Sequence, residues 1–284
     1  MLNIITMNIV LISLHEFHEY ILINIAQLIR LGHTSIFVLT NRRFFDKFSA
    51  VKQSITLIAV EDLDETYHFA MRCSLDRGNP VWLNASLRFF YLYSFMKTYD
   101  ITDVIHIEND VLLYYDCSIL QDKLDNHYIY MPFDTYTRNI ASIVYVPNHD
   151  ILKIVLDNYD YTINDMENFS IIMKNTGTIK AFPIFVSNKD TTDMEKIFVT
   201  EHYEQFQYIF DAAAIGQYLG GVDPKNKPGD TKGFVNEKCI IKYNAYEFRW
   251  KYINAIRKPF LAINNQEIPI FNLHIHCKNL LPFV

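Results

Sequence analysis

The sequence is poor in the features that mark secreted, membrane-spanning or nucleic-acid-binding proteins. Its 284 residues include four cysteines, widely separated and without a CxxC pair, which indicates free thiols in a reducing compartment. No stretch approaches the roughly 18 uninterrupted apolar residues of a membrane span, because His15, Glu16, His18 and Glu19 interrupt the apolar N-terminus. The net charge of −6 argues against a nucleic-acid-binding surface. We therefore expect a soluble, cytoplasmic protein with no membrane span and no nucleic-acid partner.

Apolar residues, by contrast, are plentiful. They make up 50% of the chain, and aromatic residues make up 15%, which is enough for a sizeable core. No repeat, low-complexity stretch or long linker divides the sequence, so we expect a single domain over residues 1–284. The pattern of strands and helices changes near residue 115, which predicts one half over about residues 1–115 and a second over about 116–284.

The first half alternates strand and helix patterns. Apolar runs predict strands over residues 8–14, 35–39, 55–60 and 104–107, and helical periodicity predicts helices over 19–31 and 84–98. Gly32 stands where a glycine commonly ends a helix. This order is typical of a parallel α/β unit, in which ligands bind at the carboxyl ends of the strands. We interpret this half as nucleotide-binding.

The sequence pattern of the second half predicts a different arrangement of strands and helices. Strands are expected over 128–131, 140–146, 239–243 and 268–276, and helices over 151–158, 166–174 and 211–219. Residues 223–233, DPKNKPGDTKG, form a polar segment with two prolines, which predicts a loop. We expect this loop to become ordered over a bound ligand.

Two carboxylates follow the last predicted strand of the first half. Residues 103–114, DVIHIENDVLLY, carry an apolar strand that runs into Glu108, Asn109 and Asp110. Side chains two apart in an extended chain share one face, so Glu108 and Asp110 would repel each other unless a cation lies between them. A hard divalent metal such as Mn²⁺ or Mg²⁺ prefers oxygen ligands and often also holds a diphosphate. Taken alone, the triplet also fits an ordinary turn after a strand.

A basic counterpart lies near the C-terminus. Residues 271–280, FNLHIHCKNL, would place His274, His276 and Lys278 on one face of a strand. Imidazole is a good ligand for Mn²⁺, and a lysine beside it can neutralise a departing diphosphate. Two histidines on an exposed strand need no ligand, but the acidic and basic trios are both explained if they meet around one metal and diphosphate.

Three segments together resemble GT-A-fold glycosyltransferases. They are HIENDV (106–111), FDAAAIGQYLGG (210–221) and NLHIHCK (272–278), and in this order they are similar to segments of predicted glycosyltransferases of bacteria and large DNA viruses. The resemblance covers most of the chain. It implies an α/β GT-A fold, in which a Rossmann-like nucleotide-binding half is fused to an acceptor-binding half around one mixed sheet. It also implies a nucleotide-sugar donor, a carbohydrate or glycan acceptor and, for a viral protein, the host cytoplasm.

The resemblance also assigns metal ligands. It implies that Asp110 binds the metal, that Glu108 approaches the metal or the ribose, and that His274 or His276 completes the metal shell. Glu108 departs from the pattern, because an aspartate is usual at that position, and the longer glutamate arm leaves its direct contact with the metal open.

Further residues are expected to contact the donor. The resemblance implies that Arg88, on the helix before the acidic strand, reaches the donor sugar or phosphates, although a surface arginine would also fit there. Asn109 would lie against the donor, and Lys278 would offset the charge of the departing UDP. The ends of the first two strands, which would frame the base and ribose, carry Ser13, His15, Thr40 and Asn41.

Inverting transfer needs a carboxylate that takes the proton of the acceptor hydroxyl. Asp211, at the start of the predicted helix 211–219, is our candidate for this catalytic base, although aspartate is also a favoured helix N-cap. Asp134 is the second candidate on the acceptor side. No motif fixes a nucleophile, so we expect inversion, with retention left open.

The sequence therefore predicts a metal-dependent glycosyltransferase that moves a hexose or N-acetylhexosamine from a UDP-sugar to a sugar or glycan hydroxyl. A sugar-nucleotide nucleotidyltransferase is the nearest alternative, but it needs a glycine-rich phosphate loop after the first strand, and residues 11–21 contain no glycine. A non-catalytic carbohydrate- or nucleotide-binding domain and a glycosidase with paired carboxylates are further alternatives. The sequence leaves the donor sugar, the acceptor and the oligomeric state open.

Overall fold

A mixed β-sheet organises most of the chain. The computed structural model describes residues 7–74, 80–188, 190–222 and 236–284. Its first elements are β1 (Asn8–Ser13), α1 (Tyr20–Arg30), β2 (Ile36–Thr40), β3 (Thr56–Ala59), α2 (Phe69–Arg72), α3 (Pro80–Tyr99) and β4 (Val104–Ile107). The four strands lie parallel in the order β3-β2-β1-β4. β1 and β4 are buried along nearly their whole length, as expected for strands in a parallel sheet whose two faces are both covered.

The sheet continues with strands of both directions. The next elements are β5 (Val111–Leu113), β6 (Ile129–Thr135), β7 (Arg138–Asn139), β8 (Ile143–Val146), α4 (His149–Asp157), α5 (Asp165–Thr176) and β9 (Ile179–Phe182). β8 lies antiparallel between β4 and β6, β7 pairs with the end of β6, and β9 lies parallel to β6. The predicted α/β fold around one mixed sheet is therefore confirmed. The division into a nucleotide-binding and an acceptor half stays a prediction.

The last strands bring the chain back to the end of β4. The remaining elements are α6 (Met194–Thr200), α7 (Tyr203–Phe206), β10 (Glu247–Ile253), β11 (Ile256–Ile263), β12 (Gln266–Pro269) and β13 (Asn272–His274). β10, β11 and β12 form a separate antiparallel sheet. β13 pairs antiparallel with β5, and this register sets His274 opposite Val111, the residue directly after the acidic triplet.

Short helical turns connect these elements. 3₁₀-helices cover Arg42–Ser54, Val60–Asp62, Cys117–Lys123, Tyr243–Ala245 and Leu281–Phe283, and a π-helical turn covers Gln217–Gly221. Within the described part of the chain, no helix is both long enough and apolar enough to cross a membrane. All four cysteines are free thiols, as the sequence predicted.

Aromatic side chains fix α3 against the sheet. Phe89 and Phe90 have no exposed surface. The ring of Phe89 meets the edge of His106, on β4, with ring centroids 5.7 Å apart, and Phe90 stacks on Phe69 at 4.4 Å. This packing sets the position of Arg88, the residue before Phe89, relative to the end of β4.

Three predicted elements of the second half are wrong. Residues 211–219 form no continuous α-helix but bend at 212–214, where Ala213 has a left-handed φ of 53°, before the π-helical turn begins. Residues 239–243 form no strand and lead into a 3₁₀-helix. The predicted strand 268–276 is divided between β12 and β13 and ends at His274. The predicted loop 223–233 lies outside the described residues.

Candidate functional site

The acidic triplet lies in the turn between β4 and β5, at the carboxyl end of the parallel strands. Helix α1 braces this turn, because the side-chain amide of Asn24 donates to the carbonyl oxygens of Asn109 and Val111 at 3.0 and 2.9 Å. Asn109 in turn donates its side-chain amide to the carbonyl of Ile12, in β1, at 3.0 Å. The backbone of the turn is therefore held from two sides.

The C-terminal segment meets this turn. The Nε2 atom of His274 lies 3.1 Å from Glu108 Oε2 and 3.3 Å from Asp110 Oδ2, and the ammonium group of Lys278 contacts Asp110. The backbone N–H of Ile275 donates to the carbonyl of Asp110 at 2.9 Å, which joins the two segments. We call Glu108, Asp110, His274 and Lys278 the Asp110 cluster. It unites residues from distant parts of the chain, since Asp110 and Lys278 are 168 positions apart.

Three members of the Asp110 cluster can share a metal ion. One ligand atom from each of Glu108, Asp110 and His274 lies within 4.8 Å of the other two. Two carboxylates offer the oxygen ligands that Mn²⁺ and Mg²⁺ prefer, and the imidazole adds a nitrogen ligand. The donor set therefore fits the divalent cation that the sequence predicts. The longer arm of Glu108 still reaches the same point as Asp110.

Opposite charges stabilise the Asp110 cluster. Burial by itself would raise the pKa of Asp110, but the charges of His274 and Lys278 outweigh it and hold this pKa well below its usual range. Burial would lower the pKa of His274, but Asp110 and Glu108 outweigh it and raise this pKa. The pKa of Lys278 is likewise raised against burial, chiefly by Asp110. The carboxylates thus attract positive charge strongly, which is the property that a divalent-cation site needs.

The two C-terminal histidines differ in their surroundings. Their rings lie side by side with centroids 4.2 Å apart, but of the two only His274 belongs to the three-residue group. Burial and the charge of His274 lower the pKa of His276 to about 3. Because residues 276 and 277 form a turn, the predicted alternation along one strand face does not extend to His276. Of the two histidines, the geometry therefore favours His274 as the candidate metal ligand.

Arg88 lies beside the Asp110 cluster. Its guanidinium group pairs with Glu108, and its Nη2 atom lies 3.6 Å from Oδ2 of Asp165, the first residue of α5. Arg88 is 7% exposed, which excludes the alternative of a surface arginine. Asp165 was not identified from the sequence, where no motif marks it.

The four residues at the ends of β1 and β2 divide into two pairs. Ser13 and Thr40 are buried, and the Thr40 hydroxyl donates to the carbonyl of Ser13 at 2.8 Å. His15 is exposed, and its backbone N–H donates to Asn41 Oδ1 at 2.7 Å, while Asn41 Nδ2 donates to Glu61 at 3.0 Å. Ser13 and Thr40 therefore hold the strand ends together, whereas His15, Asn41 and Glu61 lie where a ligand could reach them. Glu61 was missed by the sequence analysis.

The predicted role of Asp211 as catalytic base does not fit its surroundings. Its side chain is fully buried. Oδ1 accepts the backbone N–H groups of Ala214 and Ile215 at 2.7 and 2.8 Å, and Oδ2 accepts those of Gly216 and His274 at 2.7 and 2.9 Å. Four backbone donors occupy both oxygens and leave no face for an acceptor hydroxyl. Asp211 instead caps the turn after it and fixes the backbone of His274.

Asp134, the second candidate base, is buried on β6. Its Oδ2 accepts from the side-chain amide of Asn236 at 2.9 Å and lies 2.9 Å from the guanidinium of Arg138. Its Oδ1 has no hydrogen-bond partner among the described residues. Burial raises the pKa of Asp134, although Arg138 and Asn236 oppose the rise. Both candidate bases are buried, and they differ in that Asp134 has one oxygen without a hydrogen-bond partner among the described residues.

Three further polar residues support the site. Asn24 and Gln27 are fully buried on α1, and Gln27 donates its side-chain amide to the carbonyl of Leu113 at 3.1 Å. An amide side chain on the apolar face of a helix is recognisable in a sequence. Because buried polar groups need hydrogen-bond partners, such an amide is expected to hold the backbone of a neighbouring segment. The ammonium nitrogen of Lys278 lies 6.0 Å from the ring centroid of Tyr20, which places this phenol beside the Asp110 cluster, and burial and the charge of Asp110 raise its pKa to about 12. Nothing in the sequence marks Tyr20.

Comparisons with known proteins give distant similarities. No protein-family model and no curated protein matches this chain. Among solved structures, mouse xyloside xylosyltransferase 1 is similar at 10% identity and a TM-score of 0.47, over 84% of this chain and 100% of that one. The glycosyltransferase GlyE of Streptococcus pneumoniae is similar at 15% identity and 0.41, over 62% of this chain and 45% of that one. A cytidylyltransferase of Leptospira borgpetersenii is similar at 11% identity and 0.38, over 68% of this chain and 80% of that one.

These similar structures include glycosyltransferases and a nucleotidyltransferase, two of the three enzyme classes that the sequence leaves possible. This chain spans less than half the length of the GlyE structure. All three TM-scores lie below 0.5, so the functional argument rests on the geometry of the site. None of the three structures comes from a virus, and the viral part of the resemblance gains no support.

Proposed function

We propose that this protein is a metal-dependent glycosyltransferase that moves a hexose or N-acetylhexosamine from a UDP-sugar to a sugar or glycan hydroxyl. The observation that carries the proposal is the Asp110 cluster. Two carboxylates, a histidine and a lysine from two distant segments meet at the edge where parallel strands end. Nucleotides bind at this edge in open α/β sheets.

In this proposal the Asp110 cluster holds the metal and the donor diphosphate. Glu108, Asp110 and His274 are the ligands of Mn²⁺, or of Mg²⁺, and a bound cation would offset charge that develops on the diphosphate as the sugar departs. Lys278 contacts Asp110, and its side chain is 45% exposed, so its ammonium group can turn to the diphosphate. This placement of a cation is transition-state stabilisation of a leaving group.

The donor contacts in the proposal surround the Asp110 cluster. Arg88 lies next to Glu108 and would reach the sugar or the phosphates. Asn109, in the acidic turn, would contact the nucleotide. Its side chain is fixed to β1 by the hydrogen bond to Ile12. The base and ribose would lie over His15 and Asn41 at the ends of β1 and β2.

For inversion, the proton acceptor would be Asp134 rather than Asp211. The two oxygens of Asp211 are occupied by backbone N–H groups, whereas Asp134 Oδ1 has no hydrogen-bond partner among the described residues. Burial raises the pKa of both carboxyls, which suits a general base, so the choice between them rests on the unpartnered Oδ1 of Asp134.

A screen of nucleotide release tests the proposal. The purified protein is incubated with UDP- and GDP-sugars, with Mn²⁺ or with EDTA, and released nucleotide is measured. We expect release from one UDP-sugar only with metal, and a loss of at least about 100-fold in Asp110→Ala. Asp122→Ala removes an exposed carboxylate from the neighbouring 3₁₀-helix and is the matched control.

Other outcomes of the screen point to other functions. Release of pyrophosphate from a nucleoside triphosphate and a sugar phosphate would identify a nucleotidyltransferase. Metal-dependent binding of UDP in a thermal-shift assay, without turnover of any donor, would favour a non-catalytic binding domain. Hydrolysis of free glycosides without nucleotide or metal would favour a glycosidase. If no nucleotide binds with Mn²⁺ present, the proposal fails.

A further inference from the structure

A buried carboxylate outside the Asp110 cluster faces the same arginine. Asp165 begins α5 and is 4% exposed. Its Oδ2 lies 3.6 Å from Nη2 of Arg88, and its Oδ1 has no hydrogen-bond partner among the described residues. A carboxylate this buried is unusual unless it is paired. Arg88 is the cation that pairs with it.

Arg88 has four partners among the described residues. Its Nε donates to the carbonyl of Ala85 at 2.9 Å, within α3. Its two terminal nitrogens face Glu108 and Asp165, and its guanidinium carbon lies 4.9 Å from the ring centroid of Phe89. The guanidinium is a rigid planar fork, so these contacts fix its orientation as well as its place.

The two carboxylates around Arg88 have different tasks. Glu108 belongs to the group that can hold a metal, whereas Asp165 does not. When Glu108 acts as a metal ligand, its carboxylate is shared with the cation, and Asp165 remains as the acidic partner of Arg88. Without Asp165, the guanidinium would be a buried cation whose remaining carboxylate partner is shared with the metal.

We propose that Asp165 is a positioning residue for donor binding, which holds the Arg88 guanidinium in the orientation that meets the diphosphate or sugar of a nucleotide-sugar. This inference rests on the proposed function. It extends the site to α5, an element that the Asp110 cluster does not include. Asp165 acts through Arg88 and does not itself touch the donor.

A purely structural role for Asp165 predicts different behaviour. Acidic residues in the first turn of a helix are favourable on their own, and Glu167 lies in the same turn of α5 but is exposed. Glu167→Gln therefore removes the same charge from the same helix end without touching Arg88. It is the matched control for Asp165→Asn, which keeps the shape of the side chain.

The test compares donor kinetics in five proteins: the wild type, Asp165→Asn, Glu167→Gln, Arg88→Ala and the Asp165→Asn, Arg88→Ala double variant. We expect Asp165→Asn to raise the donor KM about tenfold with a smaller change in kcat. Glu167→Gln should match the wild type. In the Arg88→Ala background, Asp165→Asn should change KM by less than about twofold, because the partner through which it acts is gone.

A second variant and a second measurement separate the inference from folding. Arg88→Lys keeps the charge but loses the planar arrangement of N–H donors. It should raise the donor KM about as much as Asp165→Asn does. Binding of Mn²⁺ alone, followed by electron paramagnetic resonance, should be unchanged in Asp165→Asn. A donor KM that rises equally in the presence and absence of Arg88, or does not rise at all, would overturn the role of Asp165 while leaving the transferase proposal intact. A wild-type protein that binds no nucleotide would overturn both.

Discussion

Two buried aspartates meet the same histidine in different ways. Asp110 lies 3.3 Å from the ring of His274, while Asp211 accepts the backbone N–H of His274 at 2.9 Å. The other partners of Asp110 are side-chain groups, above all the ammonium of Lys278, whereas the other partners of Asp211 are backbone N–H groups in the turn 211–216. We call this second region the Asp211 turn.

The partners decide what each carboxylate can do. Burial tends to raise the pKa of both groups. In Asp110 the full charges of His274 and Lys278 overcome burial and lower the pKa, whereas in Asp211 the backbone hydrogen bonds do not, and the pKa stays raised. Side-chain cations can also turn away to a ligand, but the amides of a turn cannot. Asp110, whose side-chain partners can turn to a ligand, therefore suits the proposed ligand site. Asp211, whose backbone partners are fixed, supports the structure around it.

Replacing Asp211 should destabilise the protein more than replacing Asp110. In Asp211→Asn one oxygen still accepts hydrogen bonds, but an NH₂ group faces the remaining backbone donors. At about 1–3 kcal/mol for each buried donor left without a partner, we expect the free energy of unfolding to fall by about 2–5 kcal/mol in urea denaturation. Asp110→Asn should lose less, because Lys278 can turn to solvent. Full stability with lost turnover in Asp211→Asn would instead support the original assignment as catalytic base.

Asp165 differs from both aspartates, since it has one distant side-chain cation and an oxygen without a hydrogen-bond partner among the described residues. Burial raises the pKa of Asp165 to about 6, although Arg88 opposes the rise. The folded protein therefore binds the proton of this carboxyl more tightly than the unfolded chain does. The stability that this difference contributes is present below about pH 4 and is lost as the pH rises through about 6. At about 1.4 kcal/mol per pKa unit, the loss is at most about 3 kcal/mol.

The measurement is urea denaturation between pH 4.5 and 7.5. The free energy of unfolding of the wild type should fall relative to that of Asp165→Asn as the pH increases, because the asparagine does not titrate. Glu167→Gln shows how much of any change comes from a charge at this helix end. A difference between wild type and Asp165→Asn that is the same at every pH would show that Asp165 does not titrate in this range.

Gly216 tests how closely the Asp211 turn must approach β13. A Cβ at Gly216 would overlap the carbonyl oxygen of His274 and lie 2.8 Å from its carbonyl carbon. We expect Gly216→Ala to lower the free energy of unfolding by about 2 kcal/mol and to weaken Mn²⁺ binding, since it displaces the backbone of His274.

Gly177→Ala is the contrasting control. Gly177 ends α5 with a φ of 66°, and a Cβ there would meet nothing within 4 Å. The alanine should therefore lower the free energy of unfolding by about 1 kcal/mol through backbone strain alone. Mn²⁺ binding, measured by titration, should be unchanged. Equal loss of Mn²⁺ affinity in both variants would mean that the close approach of Gly216 has no special role.

The sequence predicts the first half of the fold well, because its signals are local. Each of β1, β2 and β4 is a short apolar run buried in a parallel sheet, so composition alone marks it. The meeting of the acidic and basic segments was also anticipated, since unpaired charges of opposite sign on two apolar strands need each other.

The errors arise where a side chain or a distant residue overrides local preference. The alanine-rich segment 211–219 favours a helix, but the Asp211 carboxylate takes the N–H groups that the helix would use. Asp165 stands where acidic residues are common in any helix. Its partner Arg88 lies on another helix, and no local pattern relates the two.

The pairing of β5 with β13 has a consequence for the order in which the site forms. Glu108 and Asp110 are synthesised long before His274, and only the last of the sheet pairings brings the histidine beside them. Contacts between such distant positions form late, because closing a long loop costs entropy before any contact offsets it. A nascent or partly unfolded chain thus carries the acidic pair without its counter-charges, and the cation site that we propose would be completed only when β13 pairs with β5.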